Sequence, residues 1–218
     1  WNAMANDTKS RTLWTDLPRD LVAEVERVLG GTVVAAVSQS EGFSPGSADR
    51  VTTAAGRRAF VKAVHRERNQ GAYELHRREI EVMRLLPREV SAPALLGSFV
   101  TDDWAALILE DVEGQHPGRA LDGSDLHAVL DAFATFPRLT GDALASLPSA
   151  ADEFVGERDS WAALERDQVV LPDWAREFGV RLRAVGERVC EVVQGEHLLH
   201  LDGRADNVLI GADGAAWI

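Results

Sequence analysis

His200-Leu201-Asp202-Gly203-Arg204-Ala205-Asp206-Asn207 runs directly into Val208-Leu209-Ile210. The stretch reads His-x-Asp, four residues, Asn, then a short apolar strand. Five residues of loop bring Asp202 and Asn207 to one side of a turn, and the next strand fixes it. A carboxylate held there can accept a hydroxyl's proton, and an amide oxygen beside it can hold a metal ion. Transfer of a phosphoryl group from a nucleotide asks for those two functions. An ordinary Asp/Asn-rich turn before a strand has the same look, so the surrounding chain must decide.

Downstream, Val208 to Ile210, the turn Gly211-Ala212-Asp213-Gly214 and Ala215 to Ile218 predict a small hairpin. Upstream, Asp173 is a predicted cap for one long helix closed by Gly195. Its Trp174, Phe178, Leu182, Val185, Val189 and Val193 recur every three or four residues, as core packing does. Cys190 rides on that helix with no basic motif beside it and reads as filler. Residues 141 to 172 are irregular and acidic, a solvated surface or a face for a cationic ligand. Ser124 caps a further predicted helix with Leu126, Val129, Leu130 and Phe133 on one side, stopping near Pro137.

The first half of the chain has another texture. Leu17 to Leu29 predicts a helix capped by Asp16 and ended by Gly30-Gly31. Thr32 to Ser38, Arg50 to Thr53 and Ala59 to His65 predict a meander of strands. Glu41 to Ser47 is the loop of its first turn. With Gly42, Gly46 and Ser47 it could lay backbone N–H groups over phosphates, and it reads equally as a plain hairpin loop.

In Phe60-Val61-Lys62-Ala63-Val64 both faces of the strand are apolar. Lys62 shares a face with Phe60 and Val64, so it must snorkel out or meet a carboxylate. Gln70 to Leu86 predicts a helix whose apolar stripe holds Leu75, Met83 and Leu86, with Glu79 in the same stripe. An ion pair between Lys62 and Glu79 is the expected result. Pro93 to Val100 and Ala105 to Leu109 add two strands. Composition turns polar and Gly/Pro-bearing from Val112 to Gly118, which sets a lobe boundary after residue 111. Residues 1–111 form a mostly antiparallel sheet with helices, and 112–218 are mainly helical.

With 218 residues the chain can bury a real core. Its Lys plus Arg total 23 and Asp plus Glu 35, a net charge of −12. That balance argues against a nucleic-acid partner, which would want a basic stripe. One cysteine rules out an internal disulfide and fits a reducing, cytoplasmic setting. No apolar run approaches the roughly 18 residues of a membrane span. Trp1-Asn2-Ala3 before Met4 reads as a cloning remnant.

A strand lysine, a helix glutamate, a linker after a strand and His-x-Asp-x4-Asn before a hairpin together resemble the aminoglycoside phosphotransferase family. That family writes its loop His-Gly-Asp-x-His-Pro-x-Asn. Leu201, Arg204 and Ala205 depart from it, while His200, Asp202 and Asn207 keep it. The resemblance implies an α+β, bilobal, protein-kinase-like fold related to choline kinases. It implies ATP or GTP with Mg²⁺, and a small-molecule acceptor hydroxyl, an aminoglycoside or other antibiotic among the options. By the same resemblance Asp202 is the catalytic base and Asn207 a magnesium ligand. Lys62 contacts the phosphates, Glu79 holds Lys62, Leu107 to Val112 with Glu110 is the adenine-contacting linker, and Gly42 to Ser47 covers the phosphates. The family also has an acidic metal ligand just after the strand ending at Ile218, and helices beyond it. Residues 1–218 alone are therefore expected to lack turnover and to self-associate through uncovered helix faces. The alternative is a non-catalytic kinase-fold module that binds nucleotide or a partner.

Overall fold

The computed structural model describes residues 12–39, 46–117 and 123–218, apart from the side chains of Ala143, Leu144 and Glu157. Gly42 therefore lies outside the described residues, as does most of the loop it belongs to. A five-stranded sheet organises the first part. Its strands are β1 (Val33–Ser38), β2 (Ser47–Thr53), β3 (Arg58–His65), β4 (Leu95–Val100) and β5 (Trp104–Leu109). They lie in the order β1-β2-β3-β5-β4, every pair antiparallel.

Period-two alternation gives β2, β3 and β5 two different faces. Val51, Ala59, Val61, Ala63, Ala106 and Ile108 pack with Leu21, Val25 and Leu29 of α1 (Arg19–Leu29). Phe60, Val64, Leu107 and Leu109 face α2 (Gln70–Leu85), which brings Tyr73, Ile80 and Met83 against them. A sheet covered on both sides explains why β3 and β5 read as continuous apolar runs.

The start of α1 differs from the sequence reading, and that of α2 falls at Gln70 as expected. Trp14–Asp16 is a separate 3-10 turn, and Asp16 accepts from the Leu13 N–H. Pro18, with its fixed φ, then leads α1. The helix α2 is capped by Asn69, whose side chain accepts from the Ala72 N–H at 2.8 Å.

The contacts divide the chain into two compact units, one of residues 1–136 with 201–218 and one of 137–200. The hairpin β6 (Leu209–Ile210) and β7 (Ala216–Trp217) therefore belongs with the sheet. Three ties hold it there. Gln115 and Ile210 form an antiparallel bridge, Ile218 N–H donates to Ser91 C=O at 2.9 Å, and α3 (Gly123–Ala134) packs Ala128, Val129 and Ala132 on Val208 and Ala216. Leu126 and Leu130, predicted on the inner side of α3, are exposed, because its small residues face the hairpin instead.

The second unit is helical and short-stepped. The predicted helix from Asp173 to Val193 is three pieces, α7 (Asp173–Glu177), α8 (Gly179–Glu187) and α9 (Val189–Val192), counting α4 (Gly141–Ala145), α5 (Ala150–Glu153) and α6 (Ser160–Arg166) before them. Phe178 and Arg188 sit near φ −100° and ψ 0°, outside the helical well, and interrupt the helix there. The single apolar stripe is lost as a result. Trp174 and Val185 are exposed at 61% and 63%.

Candidate functional site

The α2 face of the sheet positions the first group of candidate residues. Lys62 shares its face with Phe60 and Val64, so its side chain leaves the sheet toward α2. Its Nζ lies 2.9 Å from both Glu79 carboxylate oxygens. The expected pair is present, but the stripe that suggested it is not. The buried face of α2 is Tyr73, His76 and Ile80, while Leu75 is 63% exposed. Glu79 stands on the flank of that buried face, between His76 and Met83, and reaches Lys62 from there.

Register places further residues on the Lys62 face that the sequence reading did not single out. Ala48 is opposite Lys62, and Arg50 is opposite Phe60, with Val37 of β1 next to Arg50. The available signal was the alternation along β2, which an early loop boundary hid. Ser47, read as loop, is the first residue of β2, pairs with Ala63 and is buried. Gly46 lies against β3 so closely that a Cβ there would come within 2.3 Å of the Ala63 carbonyl oxygen. Close approach of two backbones thus requires glycine at this position.

The linker after β5 is clamped. Asp111, its side chain only 2% exposed, takes Arg58 Nε at 2.7 Å and has Arg50 Nε 3.3 Å away. Arg58 also pairs with Glu113, and Arg50 Nη2 donates to the Val112 carbonyl at 3.1 Å. Glu110 N–H donates to Ala94 C=O at 2.8 Å. At Gly114 a Cβ would meet the Ile210 carbonyl at 2.9 Å, so this glycine lets the linker lie along β6. One linker is thereby fixed to the sheet at one end and to the strand after Asn207 at the other.

That strand carries the loop of the opening motif. Asn207 Nδ2 donates to the Asp202 carbonyl at 2.9 Å and to Asp202 Oδ2 at 3.0 Å. Arg204 Nε lies 3.1 Å from Asp202 Oδ1, and Arg204 Nη2 donates to Asp206 Oδ2 at 3.1 Å. The Asp202 carboxylate is thus oriented through both oxygens while its side chain stays 57% exposed. The amide N–H₂ of Asn207 is committed to Asp202, which leaves Oδ1 as the ligating end. A hard amide oxygen of this kind suits Mg²⁺, which takes one or two protein oxygens and completes its shell with water and phosphate. Among the described residues no group of three or more His, Cys, Asp or Glu could hold a metal, so the fit rests on Asn207 together with a bound phosphate chain.

His76 sits buried beside the Lys62–Glu79 pair, at 5% exposure. Burial pushes its imidazole down to about 4, and the Lys62 charge adds to that, against the opposing pull of Glu79. Between pH 6.5 and about 4 the unfolded chain binds a proton here that the folded chain refuses. Stability from this group is therefore complete above pH 6.5 and falls as pH falls toward 4. The full window is worth about 3 kcal/mol. Denaturant unfolding at about pH 7 and about pH 4.5 should show a loss that His76→Met reduces by about 2 kcal/mol. An equal loss in the variant would remove His76 as its source.

No protein-family model matches the sequence, and no curated protein matches it. Solved structures do match in shape. A candidate fructosamine-3-kinase of Haemophilus somnus 129PT superposes with a TM-score of 0.57 at 11% identity, over 91% of this chain and 70% of that one. An aminoglycoside phosphotransferase of Alicyclobacillus acidocaldarius subsp. acidocaldarius DSM 446 superposes with a TM-score of 0.53 at 12% identity, over 97% of this chain and 67% of that one. At such identities the likeness carries the fold: the chain is α+β with a bilobal kinase-like architecture. Among the described residues no helix is long and apolar enough to cross a membrane.

Proposed function

We propose that the protein is a small-molecule phosphotransferase of the aminoglycoside phosphotransferase kind, moving the γ-phosphoryl group of ATP or GTP to an acceptor hydroxyl. The observation that supports it most is the Lys62–Glu79 pair, an ammonium held by both oxygens of one carboxylate on the α2 face of the sheet. A cation pre-positioned in this way suits a polyphosphate, and fixing it in advance avoids reorganisation during the reaction.

In this reading Lys62 binds the phosphates and Glu79 orients Lys62. Glu110 and Val112 in the clamped linker contact the base, and the loop that leads into β2 covers the phosphates. Asp202 accepts the proton of the acceptor hydroxyl as that oxygen bonds to the γ-phosphorus. The bond from phosphorus to the bridging oxygen breaks, and a nucleoside diphosphate leaves with the electron pair. Asn207 holds the Asp202 carboxylate in line and would hold Mg²⁺ through Oδ1. The metal, when bound, neutralises charge on the phosphates. The acceptor is a small molecule, an aminoglycoside being one candidate, and the site of action is the cytoplasm.

Isothermal titration with ATP tests this reading. Saturable one-to-one binding, tightened by Mg²⁺, is the expected result. In Asn207→Ala the tightening should shrink about tenfold, in line with loss of a metal ligand. Absence of nucleotide binding with and without Mg²⁺ would overturn the proposal.

A further inference from the structure

The loop that carries Asp202 and Asn207 is shaped from within and placed from outside. Inside it, Asp202, Arg204, Asp206 and Asn207 bond to one another. Those bonds give the loop its form but do not set where it stands. Its place is set by Val208, Leu209 and Ile210, which follow Asn207 directly.

The linker after β5 runs along those three residues. Gln115 N–H donates to the Ile210 carbonyl at 3.0 Å, and Ile210 N–H donates back to the Gln115 carbonyl at 2.8 Å. His116 Nδ1 lies 2.8 Å from the Val208 carbonyl. A carbonyl only accepts, so the imidazole donates from Nδ1. At its other end the linker is fixed to the sheet, since Asp111 and the Val112 carbonyl hold Arg50 of β2 and Arg58 of β3. β5 itself pairs Leu107 with Lys62. A short pinned path of backbone thus runs from the strand beside Lys62 to the residue after Asn207, all within the unit of residues 1–136 and 201–218. The contacts of α3 with Val208 and of Phe133 with Gly203 add burial. Apolar packing has no direction, however, whereas hydrogen bonds fix register.

We propose that His116 is a positioning residue: with the clamped linker it braces the Asp202–Asn207 loop against the sheet that carries Lys62. The consequence for the reaction rests on the phosphotransferase reading above, in which Lys62 and Asn207 meet one phosphate chain. Two groups that act on the same chain from different elements need a fixed separation, and a misplacement of about 1 Å is costly to such a reaction. His116 touches neither the nucleotide nor the metal in this arrangement. It acts on Asn207 through Val208, so its removal should weaken what Asn207 does and leave what Lys62 does unchanged.

The test is titration of ATP with and without Mg²⁺, together with amide hydrogen exchange of the ligand-free protein, on wild type and variants. His116 is exposed, so His116→Phe should fold. In it the tightening of ATP by Mg²⁺ should shrink roughly three- to tenfold, the worth of one hydrogen bond. ATP affinity without Mg²⁺ should change less than about twofold, as for a distant site. His116→Asn puts a side-chain N–H in place of Nδ1–H and should restore the tightening. Gly114→Ala should reproduce the loss from another point, because its Cβ would meet the Ile210 carbonyl at 2.9 Å and lift the linker off β6. Added to Asn207→Ala, His116→Phe should take away nothing more, since it acts through Asn207. Exchange at the Asn207 and Ile210 amides, which donate to Arg204 and Gln115, should quicken in His116→Phe while β3 stays protected. The proposal is overturned if the Mg²⁺ tightening survives both His116→Phe and Gly114→Ala, if the losses of His116→Phe and Asn207→Ala add, or if exchange at those two amides is unmoved. Failure of wild type to bind ATP would remove the phosphotransferase reading, and the exchange result, which needs no nucleotide, would still decide the brace.

Discussion

Asp202→Asn should cut phosphoryl transfer by roughly two to four orders of magnitude, the usual worth of a positioned base. Thermal stability should barely change. The carboxylate is 57% exposed, and its contacts are a hydrogen bond from Asn207 and an ion pair with Arg204, itself 46% exposed. Exposed pairs of this kind contribute about 0–1 kcal/mol. An amide of the same shape keeps one acceptor oxygen for Asn207 Nδ2 while losing the ability to take a proton. The loss should therefore fall on kcat, with nucleotide affinity nearly intact. Transfer to any acceptor the complete protein accepts, measured beside a melting curve, separates the outcomes. Retained activity would deny Asp202 the role of base. Lost activity with a large fall in melting temperature would make it a structural residue of the turn.

The parts of this site that were legible in the sequence are those encoded by local spacing. Alternation along Phe60-Val61-Lys62-Ala63-Val64 placed the lysine on an apolar face, and the loop spacing brought Asp202 beside Asn207. Glu79 was reached by a partly mistaken route. Apolar periodicity on α2 does not say whether Leu75 or Tyr73 with His76 turns inward, and tertiary packing chose the latter. The pair formed because a flanking carboxylate still reaches a lysine on the opposed strand. The clamp on the linker was not legible at all. Arg50 and the Val112 carbonyl are 62 residues apart, and Arg58 and Asp111 are 53 apart, with no periodicity to connect them. The long helix of the second unit failed for a related reason. A periodic stripe shows that helix is favourable, but it does not show where two residues leave the helical well and interrupt the helix.

Lys62→Met should lower transfer by about two to three orders of magnitude, the cost of removing one pre-positioned donor from developing charge. Its effect on folding should be small. The two side chains of the Lys62–Glu79 pair are 30% and 34% exposed, so solvent screens them and the pair adds at most about 1 kcal/mol. Methionine preserves the apolar stem that packs on the sheet, which removes lost packing as an explanation. Unlike Asp202→Asn, this variant should lose nucleotide affinity as well as turnover, because the ammonium meets the phosphates before the reaction begins. Glu79→Gln is the companion. It keeps an oxygen within reach of Nζ but withdraws the charge, so its loss should be smaller than that of Lys62→Met. If Glu79 acts only through Lys62, the double variant should be no worse than Lys62→Met alone, since residues that work as a unit are not additive. Additive losses would mean that Glu79 acts on the reaction independently of Lys62, and unchanged nucleotide affinity in Lys62→Met would deny the lysine its place on the phosphates.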